Sequence, residues 1–412
     1  MTKKASTPAL RFKGFTYTWE QRRLGEVLSL IKDGTHGTHQ DVEDGPLLLS
    51  AKNIKHGEIR WDNTDRRIAQ ADYEKIHSTF SLENGDILLT IVGSIGEVAI
   101  LRNSDGITFQ RSVAFLRPNK ELKSEFLYAE VLSEHFQKEL DNRKSTSAQP
   151  GIYLGDLGEI PFTFPKDIAE QKQIGTYFRN LDHLITLHQR KYDKLTNMKK
   201  SMLEKMFPKN GANVPEIRFK GFTDAWEQRK LGEAVQEVTR NDATSDAPIM
   251  MITANNGFIE QSERYAFNNA GESLKKYILL EKGELAYNHG ASKLRPYGSC
   301  FTLTTSENAR IPFVYHCFSA DEQNSEFLSI ELNGADVENQ LRRIVSSGAR
   351  MDGLLNISFQ EYVSVSVLLP TIEEQNKIAD FFKNLDNLIT LHQRELEKLK
   401  NLKKACLEKM FV

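Results

Sequence analysis

Hydrophobic positions recur every seven residues in two long stretches of the chain. The stripe positions are Ile174, Leu181, His188, Leu195 and Met202 in the first stretch and Ile378, Leu385, His392, Leu399 and Cys406 in the second. A stripe sustained over five heptads is typical of coiled-coil packing. The pattern predicts two long helices whose stripes form an antiparallel coiled-coil seam. The alternative is that each helix packs only on its own domain.

The two stretches are also copies of each other. Ile168–Phe207 and Ile372–Phe411 are identical at 25 of 40 positions, and Arg11–Glu26 and Arg218–Glu233 are identical at 13 of 16. Both repeats have an offset of about 200 residues, so the whole unit is duplicated. The duplication predicts a pseudo-twofold arrangement of the two halves.

The segments between the repeated ends differ from each other and are predicted to be rich in strands. The expected strands are Pro46–Ile54, Asp86–Val92, Val98–Arg102, Pro248–Thr253, Glu284–Tyr287 and Tyr362–Leu369, bounded by glycine-containing turns. We therefore predict an α/β (α+β) protein with four segments. These are a first mixed domain at 1–165, a long helix at 166–210, a second mixed domain at 211–370 and a second long helix at 371–412.

Composition limits the class of protein. The chain has 412 residues and a formal net charge of −2, so a nucleic-acid site would depend on local patches. We find no apolar run of membrane-spanning length and no secretory signal at the N-terminus. The three dispersed cysteines favour a reducing, cytoplasmic location over a disulfide framework or a metal site.

Four motifs together resemble one known family. They are the RFKGF…W…LGE opening, the L-x-x-G-D-I-L strand at 82–88, the proline-led E-Q helix entries (PKDIAEQ at 165–171, PTIEEQ at 370–375) and the duplicated LITLHQR. The chain resembles the specificity (S) subunit of type I restriction–modification enzymes over nearly its whole length. The second half departs from the pattern at Leu280–Leu285 (LEKGEL) and at Ser346–Met351 (SSGARM).

The resemblance implies a function and a set of partners. Each target-recognition domain would read one half of a split, asymmetric site in double-stranded DNA, and the helical rod would set the spacer between the halves. The chain would bring two modification subunits, which methylate adenine at N6, and restriction subunits to that site. It would hold no cofactor itself, since S-adenosylmethionine, ATP and Mg²⁺ are expected on the partner subunits.

The sequence shows no catalytic pattern of its own. We find no Asn/Asp-Pro-Pro-aromatic tetrad of adenine methyltransferases, no phosphate-binding G-x-x-x-x-G-K-S/T loop and no His/Cys cluster with metal-ligand spacing. We therefore expect a non-catalytic chain. The alternatives are a single-chain nuclease or methyltransferase with duplicated recognition domains, and a scaffold whose inserts bind proteins.

Polar and basic residues in predicted turns are the candidates for DNA contact, because their side chains match base edges and phosphates. In the first domain they are Lys32, Asp33, Gly34, Thr35, His36, Thr38, His39, Lys52, Asn53, Ser94, Gln110, Arg111, Ser112, Lys144, Ser145, Thr146, Gln149 and Tyr153. In the second they are Asn255, Asn256, Asn288, His289, Ser292, Lys293, Arg295, Arg343, Ser346, Ser347 and Arg350. For each, the competing interpretation is a solvated loop residue or a helix cap.

The long helices carry two further features. His188 and His392 occupy the same stripe position, where a polar pair that fixes the helix register is favoured over a pH switch or a metal pair. The outer helix faces carry Lys191, Lys194, Lys199, Lys200, Lys398, Lys400, Lys403 and Lys404. These lysines could lie along the DNA backbone over the spacer or dock the modification subunits, and the repeated KKxxLEKMF ends favour docking.

Overall fold

The structure, a computed structural model, describes residues 7–145, 150–209, 211–254, 257–264, 271–345 and 354–412. The chain divides into two compact units. Unit 1 comprises Met1–Lys191 and His392–Val412, and unit 2 comprises Tyr192–Leu391. Each unit therefore includes part of both long helices, whereas the sequence analysis set the helices apart as separate segments.

Unit 1 is a mixed α/β unit. Its strands are β1 (Glu20–Arg23), β2 (Leu28–Asp33), β3 (Leu47–Leu49), β4 (Ile54–Lys55), β5 (Glu58–Ile59), β6 (Ile87–Thr90), β7 (Val98–Ile100), β8 (Ile107–Phe109), β9 (Val113–Pro118) and β10 (Pro161–Phe164). Its helices are α1 (Gln70–Ile76), α2 (Ser124–Val131), α3 (Glu134–Asn142), α4 (Leu154–Gly158), the first part of α5 (Ile168–Lys205) and the last part of α9 (Ile372–Lys409). Strands β2, β9, β6 and β7 form an antiparallel sheet in that order.

The alternation of side chains along β6 explains why this sheet is buried on both faces. Ile87 and Leu89 enter a core that also contains Phe126 of α2. Leu88, between them, points to the opposite face and enters a second core with Leu49 of β3. Successive strand residues point to opposite faces, so a strand covered on both sides reads as a continuous apolar run.

Unit 2 repeats this plan. Its strands are β11 (Glu227–Lys230), β12 (Gln236–Glu237), β13 (Met250–Thr253), β14 (Gly257–Glu260), β15 (Ile278–Glu281), β16 (Leu285–Asn288), β17 (Ser299–Thr302), β18 (Asn308–Ile311), β19 (His316–Ser319) and β20 (Ser366–Leu369). Its helices are α6 (Ser325–Leu332), α7 (Ala335–Ile344), α8 (Phe359–Val363), the last part of α5 and the first part of α9 (Ile372–Lys409). The sheet order β12, β19, β16, β17 matches that of unit 1.

The predicted mixed α/β class is confirmed, and two predicted strands are corrected. The run Pro46–Ile54 is interrupted by a 3-10 turn at Ala51–Asn53, which separates β3 from β4. The first two residues of Tyr362–Leu369 end the helix α8, which a capping box of Ser358 and Glu361 starts, and Ser364 and Val365 form a turn. Only Ser366–Leu369 of that run is a strand.

The repeated opening and the repeated helix entry form one clamp in each unit. In unit 1, the Arg11 guanidinium donates to both oxygens of Glu170 at 2.6 and 2.8 Å, and the Trp19 indole N–H donates to Glu170 Oε1 at 3.3 Å. In unit 2, Arg218 donates to Glu374 at 2.7 Å on both oxygens. The carboxylate hydrogen bond raises the pKa of each arginine. These motifs therefore hold the unit together.

The glutamine of the E-Q entry completes the clamp. In unit 1, Gln171 accepts from the Lys123 backbone N–H at 2.9 Å and donates to the Pro165 carbonyl at 2.8 Å. In unit 2, Gln375 accepts from the Asn324 backbone N–H at 3.0 Å. Each buried amide thus fixes the start of a long helix against the start of the neighbouring short helix.

The KMF ends of the long helices are packing residues, which corrects their interpretation as docking sites. In unit 1, the Phe411 ring lies 5.8 Å from Phe126 and 6.2 Å from Trp19, and Phe411 is buried. In unit 2, the Phe207 ring lies 5.8 Å from Trp226 and 6.1 Å from Phe382. Such aromatic pairs stabilise the core beyond area burial alone.

The contacts between α5 and α9 run antiparallel within unit 1. Lys403 donates to Asp182 at 2.6 Å, and nearer the other end of this contact His188 Nδ1 lies 3.1 Å from His392 Nδ1. Rising numbers on α5 thus meet falling numbers on α9. All ten predicted seam residues are buried or half-buried. The histidine pair makes one side-chain hydrogen bond, as expected of a polar pair on the seam.

Two lysines assigned to the outer helix faces are engaged inside their units. Lys403 of unit 1 bonds Asp182 and lies 5.9 Å from the centre of the Tyr128 ring. Lys199 of unit 2 donates to Asp386 at 2.8 Å. These two lysines therefore contribute to packing between the helices.

Candidate nucleic-acid interface

Several predicted segments of unit 1 meet at one end of the sheet, where β6 ends and β9 begins. Thr90 of β6 pairs with Val113 of β9 in the antiparallel ladder, so the turn after β6 and the turn before β9 leave at the same end. Thr35, two residues after β2, bridges Gln110. We call this end, formed by the turns at 34–39, 91–97 and 110–112, the unit 1 reading end.

Backbone hydrogen bonds attach two more predicted segments to the unit 1 reading end. The Ile152 N–H donates to the Ile91 carbonyl at 3.0 Å, which places the loop before Tyr153 there. The Ala51 N–H donates to Ser112 Oγ at 3.1 Å, which places Lys52 nearby. Segments that are as much as 118 positions apart along the chain, at 35 and 153, are thereby assembled into one surface.

Several candidate side chains at this end are solvent-exposed. They are His36, Thr38, Lys52, Ser94, Arg111, Lys144 and Tyr153, and Gln110, Ser112 and Ser145 are half-buried. Tyr153 is 71% exposed. Arg111 has no side-chain hydrogen bond or ion pair to another residue in the described part of the chain. A free guanidinium at a turn corner is available to a base edge or a phosphate.

Some unit 1 candidates serve the fold, which corrects their assignment to DNA. Asn53 is 4% exposed, and its side chain bonds Asp65, the Arg60 carbonyl and the Ser50 N–H. The hydrogen bond from Asn53, together with those from Lys52 and the Asp62 N–H, lowers the pKa of Asp65 to about 2. Gly34 is required by a neighbouring strand, because a Cβ there would lie 2.1 Å from the Phe109 carbonyl oxygen.

The turn at Lys32–His39 (KDGTHGTH) is stabilised by contacts among its own side chains. His36 Nε2 lies 2.6 Å from Asp33 Oδ2, and His39 Nε2 lies 2.9 Å from Thr35 Oγ1. Lys32 extends over the Phe80 ring, 4.4 Å from its centre. The two histidines thus have separate partners, which argues against a shared metal. Among the described residues there is no group of three or more potential metal ligands.

Unit 2 has the equivalent end, which we call the unit 2 reading end and define by the turns at 289–298 and 312–315. Tyr287 of β16 pairs with His316 of β19, so both turns leave the same end of the sheet. The Leu355 N–H donates to the His289 carbonyl at 2.9 Å, as the Ile152 N–H does to Ile91 in unit 1. The two ends are therefore built alike.

His289 lies inside unit 2, which corrects its assignment to DNA. It is 6% exposed, and its Nδ1 and Nε2 lie 2.8 Å from the Leu355 carbonyl oxygen and 2.7 Å from that of Val314. Its ring stacks on His316 at 5.2 Å. Burial lowers the pKa of His316. His289 therefore ties two backbone segments together beneath the reading end.

Other unit 2 candidates differ in how far they are engaged. Asn288 is half-buried and donates to the Ile252 carbonyl at 3.1 Å. Arg295 donates to the Asn333 carbonyl at 2.9 Å, and Ser292 Oγ accepts from the Arg295 N–H at 3.0 Å. Lys293 is exposed between them. The turn is thus stiffened from within, with one lysine free to reach a phosphate.

The remaining candidates lie elsewhere or outside the described residues. Arg343 is exposed near the end of α7. Thr146, Gln149, Asn255, Asn256, Ser346, Ser347 and Arg350 lie outside the described residues. Every helix in the described ranges is too short or too polar to cross a membrane.

Sequence reasoning missed the apolar corner of the unit 2 reading end. Phe313 is 49% exposed and Leu294 is 61% exposed. Their side chains carry no polar group, so a criterion of hydrogen-bond donors and acceptors does not select them. Aligning the turn Pro312–Tyr315 with Gln110–Val113 would have indicated the position, since both precede the central sheet strand.

A family model matches this architecture. The model described as the type I restriction modification DNA specificity domain matches residues 17–197 and 224–401. The match covers most of the chain and both copies of the repeat. It agrees with the resemblance identified from the sequence motifs.

The alignments with individual relatives cover different shares of each protein. The type I restriction enzyme MjaVIII specificity subunit of Methanocaldococcus jannaschii is 27% identical over 192 residues, which are 45% of this chain and 44% of that protein. The EcoBI specificity subunit of Escherichia coli is 25% identical, over 46% of this chain and 41% of that protein. These alignments thus span less than half of either relative. A putative MjaX specificity subunit of M. jannaschii is 23% identical over 94% of this chain and 91% of its own length.

A solved structure shares the fold. The type I restriction–modification system S subunit from M. genitalium superposes with a TM-score of 0.58 at 16% identity, covering 99% of each chain. At this identity the likeness establishes the fold alone.

Proposed function

Because the chain belongs to the family of type I restriction modification DNA specificity domains, we propose that it selects the DNA sequence on which a type I restriction–modification complex acts. Each unit reads one half of a bipartite, asymmetric site in double-stranded DNA. One observation carries this proposal. The same end of the same sheet in both units presents turns with different side chains on a common frame.

The unit 1 reading end supplies groups suited to DNA. Arg111 occupies a turn corner, and Lys52 lies close by after β3. Bidentate arginine on guanine and glutamine on adenine are favoured major-groove contacts, and lysine contacts phosphates. We therefore assign base reading to Gln110 and Arg111. We assign contact with the DNA phosphates to Lys52 and to exposed hydroxyl groups such as that of Thr38.

The chemistry is proposed to lie on partner subunits. In this proposal two modification subunits methylate adenine with S-adenosylmethionine, and restriction subunits use ATP and Mg²⁺, while this chain is non-catalytic and cytoplasmic. A purified preparation of the chain alone should therefore leave its DNA unmethylated. Methylation by the chain alone would instead favour the alternative of a single-chain methyltransferase.

Exposed leucines on the long helices provide the docking surface for the modification subunits. Leu184 and Leu187 of unit 1 are 40% and 41% exposed, and the repeat-equivalent Leu388 and Leu391 of unit 2 are 45% and 52% exposed. An apolar pair repeated on two helices fits one partner copy per unit, because exposed apolar patches mark interaction surfaces. Leu187→Glu with Leu391→Glu should abolish co-purification of the modification subunit. Asn197→Glu with Asn401→Glu, at exposed and repeat-equivalent positions of the same helices, is the control.

The helix pair is proposed to set the spacer between the half-sites. Inserting one heptad into both α5 and α9 keeps the seam in register. The spacer should then lengthen while both half-sites stay the same. An unchanged spacer in such a variant would rule out the helices as the ruler.

The primary test is methylation mapping by single-molecule sequencing, with a modification subunit of the family expressed with and without this chain. The proposal expects an N6-methyladenine motif that is split by a fixed gap and depends on the chain. A soluble complex that yields no motif would contradict it. A gel-shift on random duplex pools separates DNA reading from a protein-binding scaffold.

A further inference from the structure

The corner before the central sheet strand is structurally equivalent in the two units. Leu116 of β9 pairs with Ile87 of β6, and Phe318 of β19 pairs with Leu285 of β16. Arg111 precedes Leu116 by five residues, and Phe313 precedes Phe318 by five residues, so Arg111 and Phe313 occupy equivalent positions. The turn itself is the same in both units, because Val113 N–H donates to the Gln110 carbonyl at 3.1 Å and Tyr315 N–H to the Pro312 carbonyl at 2.9 Å.

The side chain at this corner has opposite chemistry in the two units. Unit 1 presents the exposed guanidinium of Arg111, whereas unit 2 presents the half-exposed ring of Phe313. The turn beside it, after β16, adds a second exposed apolar side chain, Leu294. In the described residues between 234 and 370, Leu294 and Phe313 are the large hydrophobic side chains that are solvent-exposed.

The Phe313 corner is held rigidly. Pro312 fixes its own φ angle, the Tyr315 N–H closes the turn, and the Val314 carbonyl is bound by the ring of His289. An apolar side chain on such a turn loses little conformational entropy when it makes a contact. The corner is thus preorganised to present a phenyl ring to a partner.

The charge around the corner favours a polyanion as that partner. The turn at 289–298 contains Lys293 and Arg295 and no carboxylate, and the turn at 312–315 contains none either. The chain as a whole has a net charge of −2, so this end is locally positive against the overall balance. Lys293 is exposed and suited to a phosphate beside the apolar contact.

We propose that Phe313, supported by Leu294, reads the 5-methyl group of thymine in the major groove of the second half-site. This inference rests on the proposed DNA-reading function. The thymine methyl is the apolar group that base edges present in the major groove, and phenylalanine is one of the side chains suited to contact it. The first half-site is then read by hydrogen bonds from the Arg111 corner, and the second in part by apolar contact.

The test replaces thymine by deoxyuridine, which keeps base pairing and removes only the methyl group. Once the motif is mapped, each thymine of the second half-site is replaced in turn. Affinity of the full chain in complex with its modification subunit is then measured at fixed salt. At one or two positions the natural chain should lose about fourfold in affinity, from ~0.8 kcal/mol for one buried methyl-sized group. In Phe313→Ala the same replacement should have no effect.

Two variants make the result specific. Arg111→Ala changes the equivalent corner of unit 1 and should keep the full deoxyuridine effect in the second half-site. Phe313→Leu retains an apolar contact and should keep part of the effect, which separates loss of contact from loss of folding. Leu294→Ala should weaken the effect without removing it.

The outcomes distinguish the inference from the function beneath it. A split motif whose second half lacks thymine in both strands, or tolerates deoxyuridine at every position, overturns the inference and leaves the proposed function standing. Phe313→Ala that weakens binding equally on thymine and deoxyuridine duplexes also overturns it, as expected of a wedge or of a protein contact. Absence of any motif from a soluble complex overturns the proposed function, and this inference with it.

Discussion

The two reading ends share their backbone and differ in their side chains. The unit 1 corner carries Arg111 between Gln110 and Ser112, and the unit 2 corner carries Phe313 between Pro312 and Val314, in the same hydrogen-bonded turn. The frame beneath them is nearly identical, since an arginine–glutamate clamp joins the opening to a long helix in each unit. Specificity can therefore change in a few turn residues without loss of the fold.

The two arginine–glutamate clamps differ in one hydrogen bond. Breaking them should cause the largest loss of stability. Glu374 of unit 2 is fully buried, and Arg218 is its charge partner. Arg218→Ala leaves an unpaired buried carboxylate, so we expect a loss of about 3–5 kcal/mol in the free energy of unfolding. Arg11→Ala should cost less, because Trp19 still donates to Glu170. Denaturant unfolding followed by tryptophan fluorescence measures both.

The control for the clamps is Arg229→Ala. This variant removes an exposed pair with Glu227 and should cause no measurable change. Equal losses from Arg11→Ala and Arg218→Ala would show that the tryptophan bond contributes nothing.

Glu130 of α2 and Glu331 of α6 occupy equivalent positions in the two units and provide the next comparison. Burial raises the pKa of Glu331 to about 7, and the Leu368 N–H donates to it at 3.1 Å. A raised carboxyl pKa stabilises the fold at low pH, and this contribution is lost as the pH rises from about 4.5 to about 7. Glu331→Gln should therefore add about 2–3 kcal/mol at pH 8 and little at pH 5. Thermal unfolding at the two pH values measures this.

Glu130 sharpens the same comparison. It is fully buried, neither carboxyl oxygen has a hydrogen-bond partner within the described residues, and burial raises its pKa well above the usual value. Glu130→Gln should stabilise unit 1 at neutral pH at least as strongly as Glu331→Gln stabilises unit 2. A loss of stability in either variant at pH 8 would contradict a raised pKa of the buried carboxyl group.

At the unit 1 reading end, Arg111→Ala should alter one half-site only. If the guanidinium reads a guanine, its removal costs about 1–3 kcal/mol and relaxes the motif at one position. Methylation mapping measures the motif, and affinity on matched and mismatched duplexes measures the energy. Equal weakening on all sequences would instead make Arg111 a phosphate contact.

Replacing the His188–His392 pair should have the smallest effect on stability. Both histidines belong to unit 1. The pKa of His392 is lowered by burial and by the charges of His188 and Lys191. A lowered histidine pKa stabilises the fold above the unfolded pKa of about 6.5, and the contribution is lost as the pH falls. His188→Leu with His392→Leu should therefore weaken the pH dependence of thermal unfolding between pH 7.5 and 5. An unchanged dependence would show that folding does not lower the pKa of His392.

Periodic and repeated features of the sequence predicted much of the fold. The heptad stripe predicted both long helices, which span Ile168–Lys205 and Ile372–Lys409, because burial on one helix face leaves a spacing that is legible in the chain. The start of α8 was also legible, since Ser358 and Glu361 are spaced as a capping box. The β-branched run that follows predicts a strand from Tyr362, whereas the strand begins at Ser366.

The reading ends were less predictable, for a physical reason. Asn53 and Arg111 are both polar residues in turns, yet Asn53 is buried on carbonyls and carboxylates whereas Arg111 faces solvent. Which one is free depends on residues distant in sequence, such as Asp65 for Asn53. Phe313 was missed because its position is defined by the strand register and by no feature of its own side chain.

The most direct test of a common frame with interchangeable reading ends is an exchange. Residues 234–370 are replaced by a second copy of residues 27–165, and the methylation motif of the resulting complex is mapped. The account predicts a split motif in which both halves carry the sequence that the natural chain reads through unit 1. A motif that keeps the natural second half-site would contradict it, because the reading residues would then lie outside the exchanged segment.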